Sequence, residues 1–383
     1  MGKSTEVIII GAGVIGCSIA YHLAKMGCHD VIVLEKSYIG SGSTEKCAGG
    51  IRQQFATEVN IKLSMESVKF FERFEEETGY TADFRQYGYL MLATTADEVK
   101  QFKGNVALQQ KLRVDVRLIS PQDARKILPQ LNVKDVLSAT FCPTDGYADP
   151  YSVVHGFARA AKSLGVKILE GTPITDIILE RDKVTGVVTP GGRYYAPVVV
   201  NATGPWAKEI GRMLGIDIPV AAHKRHIFVT EPVKELQKNL PMIIEFKNGF
   251  WFRREGKCLV FGMRNPDETE SYDISIDWEF FSAHLAVVAS NRLPLLNNVG
   301  IMRAQAGLHE DTPDANAILS TVPEVEGLYL ACGFSGHGFM HSPAVGRIMA
   351  ELILGKGSAL PGISPLSLQR FGQSARHAEN VFI

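Results

Sequence analysis

The chain has 383 residues, 45% of them hydrophobic and 21% charged, with 40 Lys and Arg against 41 Asp and Glu. That length can bury one large core or two smaller ones, and the balanced, scattered charge argues against a nucleic-acid partner. No apolar run approaches the roughly 20 residues of a membrane-spanning helix.

Glu6–Ile10 is a β-branched run that predicts a buried strand. The residues before it are too few and too polar for a secretory signal, which points to the cytoplasm. Val14–Met26 carries apolar residues at helical spacing and stops at Gly27, and Val31–Leu34 predicts a second strand. Leu63–Glu77 predicts an amphipathic helix with Phe70, Phe71 and Phe74 near one face. Tyr87–Ala93 and Val116–Ile119 predict strands, with a short helix over Pro121–Ile127 begun by its proline. Ser152–Leu164 predicts a helix and Val166–Leu169 a strand. Lys183–Val188 and Tyr194–Asn201 predict a hairpin leading into a central strand, and Pro205–Leu214 a helix. Ile227–Thr230, Met242–Phe246, Gly249–Arg254 and Lys257–Gly262 form a strand-rich block. Leu328–Ala331 predicts a last strand and Pro343–Leu354 a last helix. The six cysteines form no CxxC pair, so no metal site or iron–sulfur cluster is expected.

Gly11-Ala12-Gly13-Val14-Ile15-Gly16 follows a strand and opens a helix. Three glycines at this spacing give a tight turn, close backbone approach to a pyrophosphate, and close helix–strand packing. The helix N-terminus supplies free N–H groups and positive dipole to phosphates. Glu35 closes the second strand, where a carboxylate accepts hydrogen bonds from a ribose. This predicts a Rossmann-type nucleotide domain, discontinuous over residues 1–57, 148–216 and 310–383. Residues 58–147 and 217–309 are left for a second, substrate-binding domain in an α/β plus α+β architecture. Two further segments favour FAD over NAD(P). Val198–Trp206 is an apolar strand ending in the small turn Ala202-Thr203-Gly204, and Leu328–Gly338 is a strand entering a Gly-rich turn before a helix. A helix N-terminus at that turn suits the negative charge of a reduced flavin ring.

With Gly40–Thr44, Asn201–Trp206 and Gly333-Phe334-Ser335-Gly336-His337-Gly338-Phe339 added to the first glycines and Glu35, the chain resembles the D-amino-acid oxidase family of flavoproteins. The resemblance spans nearly the whole chain. It is nearest to the sarcosine oxidase and glycine oxidase branch, including the FAD-bearing β subunits of sarcosine oxidases and L-proline dehydrogenases. It implies FAD held by Gly11, Gly13, Val14, Ile15, Gly16, Glu35, Lys36, Ser43, Thr44, Ile174, Ala202, Thr203, Gly204, Trp206, Gly333, Gly336, His337, Gly338, Phe339 and Met340. It also implies a substrate domain on a large mixed sheet. Monomeric sarcosine oxidase tethers its flavin through a Cys where this chain has Gly307, and dimethylglycine dehydrogenase through a His where it has Lys46, so FAD is expected to be non-covalent.

The resemblance further implies oxidation of a small secondary or α-amino acid: L-proline, sarcosine, glycine or an N-methyl relative. Hydride leaves the carbon next to nitrogen for flavin N5, and an imine results. Arg52 matches a substrate-binding Arg of monomeric sarcosine oxidase and is the first candidate for the carboxylate; a surface position or a contact to FAD phosphate is the alternative. His309 stands where glycine oxidase carries its carboxylate-binding Arg, as a substrate or proton-transfer group or as a structural His. Trp251 and Phe252 are candidates for an aromatic lining or for core packing, and His337 lies beside the flavin in the family pattern. Met340 replaces a Lys of sarcosine oxidase, with His341 next to it. Val260 replaces the Lys that activates oxygen there, which favours an acceptor other than oxygen unless Arg264 supplies the charge. The second functional class is a flavin-binding subunit used for assembly or electron relay, with other subunits as partners.

Overall fold

The structure, a computed structural model, describes residues 3–356, 364–372 and 378–381. Five parallel strands form one side of a ten-stranded sheet, in the order Val325–Cys332, Val198–Asn201, Val7–Ile10, Val31–Leu34 and Lys167–Leu169. Val7–Ile10 and Val31–Leu34 are buried at every residue. Their alternation explains the unbroken apolar runs. Val7, Ile9, Val31 and Val33 face a core shared with the helices Val14–Lys25, Pro150–Ser163 and Gly338–Ile353. Ile8, Ile10, Ile32 and Leu34 face the other side, against Ile177, Val184, Val187 and the helix Ala207–Met213. A parallel strand covered on both faces has no polar side to show.

The helix Gly338–Ile353 begins five residues before Pro343, where sequence reasoning starts it. Pro343 has no N–H for the Phe339 carbonyl, and the Ser342 hydroxyl donates to that oxygen instead at 2.8 Å. The Ser342 carbonyl in turn accepts from Ser18 on the helix Val14–Lys25. The two helices touch at Gly346, where a Cβ would stand 2.1 Å from the Ser18 hydroxyl.

The second sheet has eight strands, ordered Ile301–Asp311, Ala221–Thr230, Cys258–Gly262, Phe250–Glu255, Met242–Glu245, Tyr89–Ala93, Ser138–Cys142 and Arg117–Ile119. Met242–Glu245 and Tyr89–Ala93 pair in parallel and the other neighbours antiparallel, so the sheet is mixed. One face holds Phe228, Phe250, Phe252 and Phe261 in an apolar core. The other carries Tyr89, Met242, Ile244 and Trp251 toward the nucleotide-type layer. This is the predicted combination of a Rossmann-type layer and a large mixed sheet.

Several elements depart from expectation. The helix expected over Leu63–Glu77 starts at Glu58 and is broken at Arg73 into Glu58–Glu72 and Phe74–Thr78. The strand expected over Tyr194–Asn201 is split into Gly192–Tyr195 and Val198–Asn201 around Pro197, which cannot donate to a ladder. The helix Ala96–Lys111 and the strand Ile301–Asp311 have no sequence-based counterpart above. Among the described residues no helix is long and apolar enough to cross a membrane.

Candidate active site

The strand register places four chain turns at one edge. Ile10 pairs with Leu34 and with Asn201, and Asn201 with Leu330, so three strands end level and the fourth runs two residues further to Cys332. The loops at Gly11, Glu35, Ala202 and Gly333 therefore meet outside their carboxyl ends, the usual ligand position on such a sheet. They form one end of a cavity of about 590 Å³.

This end is shaped by backbone. Gly11 has φ +103°, and a Cβ there would stand 2.5 Å from the Ala202 carbonyl oxygen. Gly16 lies off the cavity: its Cβ would fall 2.0 Å from the Gly11 carbonyl oxygen, so its smallness serves the strand–helix contact. Glu35 accepts from the N–H groups of Ala12 and Ser37, both at 2.8 Å, which fixes its carboxylate at the strand end. Thr44 Oγ1 accepts from Val14 N–H. Lys36 Nζ lies 3.2 Å from the centroid of the Trp206 ring, and Ile174 lines the same end. Gly333 is also off the wall; a Cβ there would meet Thr312 at 2.4 Å. Every other residue expected to hold FAD lines the cavity. A cradle that a Cβ would fill, at a helix N-terminus and beside a fixed carboxylate, suits a dinucleotide with a pyrophosphate.

The other end is built from side chains. Arg52 is 3% exposed and lines the cavity. Its guanidinium donates to the carbonyls of Gln54 and Val381, both at 2.7 Å, and to His337 Nε2 at 3.2 Å, with the Phe55 ring 4.0 Å away. Among the described residues no carboxylate pairs with it. The neighbouring loop is set by Asp145, which accepts from Gln53 N–H and from the Gln53 and Gln54 side-chain amides. Burial raises the Asp145 carboxyl to about 6. Because Arg52 donates to Nε2 of His337, the ring proton sits on Nδ1; burial and the Arg52 charge hold this imidazole neutral.

His309 lies against Gly336, where a Cβ would approach its ring to 2.5 Å. Burial, then the Arg225 charge, lower its pKa to about 3, so it faces the cavity as a neutral imidazole and not as a group titrating near pH 7. Glu310 stands beside it. Enclosed by protein yet reaching the cavity wall, its carboxyl accepts from Gly333 N–H at 2.8 Å, and burial raises its pKa to about 8. Trp251, Arg264 and Met340 line the cavity. Phe252 is fully buried in the apolar core behind the sheet, and His341 bonds Ser64. Val260 is not on the wall but packs with Ile227 and Val229; the cations that face the cavity from this part of the sheet are Arg225 and Arg264.

Sequence reasoning missed Tyr89, Gly50, Glu310 and Arg225. Tyr89 lines the cavity, and its hydroxyl would stand 1.9 Å from a Cβ on Gly50. Gly50 has no positive φ, so here glycine is space for that hydroxyl. Among the described residues no cluster of His, Cys, Asp and Glu is arranged to hold a metal.

Comparison with known proteins agrees with this geometry. Residues 6–352 match the model of the family described as FAD dependent oxidoreductase. The crystal structure of L-proline dehydrogenase from P. horikoshii superposes with a TM-score of 0.92 at 37% identity, covering 98% of this chain and 100% of that one. Human mitochondrial sarcosine dehydrogenase is 31% identical over 92% of this chain and 40% of its own length. The mitochondrial pyruvate dehydrogenase phosphatase regulatory subunit of Mus musculus is 30% identical over 97% of this chain and 44% of its own length. The chain thus spans less than half of these two curated relatives.

Proposed function

The chain belongs to the FAD dependent oxidoreductase family, and from that premise we propose that it oxidises a small secondary or α-amino acid at the carbon next to nitrogen. FAD, when bound, accepts the hydride, and the substrate leaves as an imine. The observation that carries this reading is Arg52: a buried cation on the wall of the nucleotide cavity, held by neutral acceptors and paired with no described carboxylate.

Such a guanidinium keeps its full charge for an incoming carboxylate and offers it a planar fork. The same wall favours a neutral amine. His337, His309 and Glu310 all line the cavity; the two imidazoles are neutral and Glu310 is protonated at pH 7, so none of these three stabilises an ammonium. The non-covalent state of FAD is part of the proposal. Gly307 and Lys46 face each other, a Cβ on the former lying 2.8 Å from Cβ of the latter, and neither side chain is a Cys or His.

Anaerobic mixing with L-proline, sarcosine, glycine and N-methyl amino acids tests the reading: at least one should bleach the flavin, and acid precipitation should release it. A chain that none of them bleaches would support a second reading, a flavin-binding subunit for assembly or electron relay. The resemblance to a relative named as a regulatory subunit favours that one.

A further inference from the structure

One cluster lies outside the Rossmann and strand-sheet elements yet reaches Arg52: the segment Ala378–Val381. Val381 is 2% exposed and packs beside Tyr89 and Met242, both wall residues, and its carbonyl is one of the three acceptors on the Arg52 guanidinium. Glu379 is 4% exposed and ties the segment down. One carboxylate oxygen accepts from the N–H groups of Ala56 and Val381, both at 2.9 Å. The other accepts from Thr57 N–H, the Thr57 hydroxyl and the Asn60 amide. Its own N–H donates to the Asp314 carbonyl, and Asp314 is held in turn by Arg370 at 2.8 and 3.0 Å.

We propose that Ala378–Val381 is a working part of the substrate site, with Glu379 as the positioning residue that places the Val381 carbonyl on Arg52. This rests on Arg52 binding the substrate carboxylate. The division of labour is physical. A carboxylate in contact with Arg52 would neutralise the charge that the substrate needs. Glu379 instead spends its charge on donors at the start of the helix Glu58–Glu72, where a negative group is also favoured by the helix dipole, and delivers a neutral carbonyl to the guanidinium. The cation is thereby aimed without being quenched.

The test uses the full FAD-loaded chain and acetate as a carboxylate probe, read from the flavin visible spectrum, alongside KM and kcat for whichever amino acid bleaches the flavin. Glu379→Ala should weaken acetate binding and raise KM by about tenfold or more, with kcat changed less and FAD content retained. Glu379→Gln, which keeps shape and one acceptor, should recover part of the loss. In an Arg52→Ala background Glu379→Ala should add nothing, because its effect runs through Arg52. Unchanged acetate affinity in both Glu379 variants, even with a lowered Tm, would overturn the proposal, as would fully additive losses. Acetate binding unaffected by Arg52→Ala would instead remove the carboxylate reading on which the proposal stands.

Discussion

The two ends of the cavity are made in different ways. At the nucleotide end, position is set by main chain: Gly11 against Ala202, and Glu35 fixed by two backbone N–H groups at 2.8 Å. At the substrate end, position is set by five side chains from four separate places: Arg52, Tyr89, the neighbours His309 and Glu310, and His337. The first kind of site tolerates no added atom; the second depends on keeping one charge uncompensated. A small substitution should therefore abolish cofactor binding at one end but only weaken substrate binding at the other.

The largest effect expected is at Gly11. Its φ of +103° and the 2.5 Å approach to Ala202 leave no room for a side chain, so Gly11→Val should yield folded protein without yellow colour. Absorbance at the flavin band against that at 280 nm measures this, and normal occupancy would break the distinction between the two ends.

Gly50→Ala should behave differently. The added Cβ displaces the Tyr89 hydroxyl, so FAD stays bound while kcat/KM falls by about tenfold, or roughly 1.4 kcal/mol. Adding Tyr89→Phe should restore stability, since the clash is lifted, without restoring kcat/KM. Recovery of both would mean that the hydroxyl has no part in binding.

Smaller still is a pH effect at Glu310. Its carboxyl is raised to about 8 in the folded chain, against an ordinary 4.5, so the folded state holds a proton that the unfolded chain has lost between those values. Its contribution is thus fully present below about pH 4.5 and declines as pH rises toward 8. Glu310→Gln cannot ionise, and its Tm should fall less than that of wild type from pH 5 to pH 9. Parallel Tm profiles would place the Glu310 carboxyl among ordinary, ionised carboxylates.

The contrast between the ends also explains what the sequence revealed. Gly11, Gly13, Gly16 and Glu35 lie within one strand–helix–strand unit, and Gly333 to Met340 within one strand–helix turn, so spacing alone carries their geometry. No spacing links Gly50 to Tyr89 or Arg52 to Val381; those pairs exist only because tertiary packing sets Gly50 against the Tyr89 hydroxyl and a distant segment against Arg52. The helix Ala96–Lys111 was legible in another signal. Its apolar face is thin, but Thr95 and Glu98 form a capping box that marks its start. The strand Ile301–Asp311 hides because polar side chains and Gly307 interrupt its apolar alternation, although its inner half carries His309 and Glu310. His309 shows a different limit: its position was legible, but its charge state depends on burial and on Arg225 across the sheet.

The central claim is that Arg52 binds the substrate carboxylate with its charge intact. It is tested most directly by acetate titration and steady-state kinetics of Arg52→Ala and Arg52→Lys, with FAD content measured on the same samples. The predicted result is full FAD occupancy in both, with acetate binding abolished in Arg52→Ala and kcat/KM lowered by about 2–5 kcal/mol. Arg52→Lys, which keeps the charge but not the fork, should fall between the two. Loss of FAD from Arg52→Ala, or kinetics equal to wild type, would contradict the account.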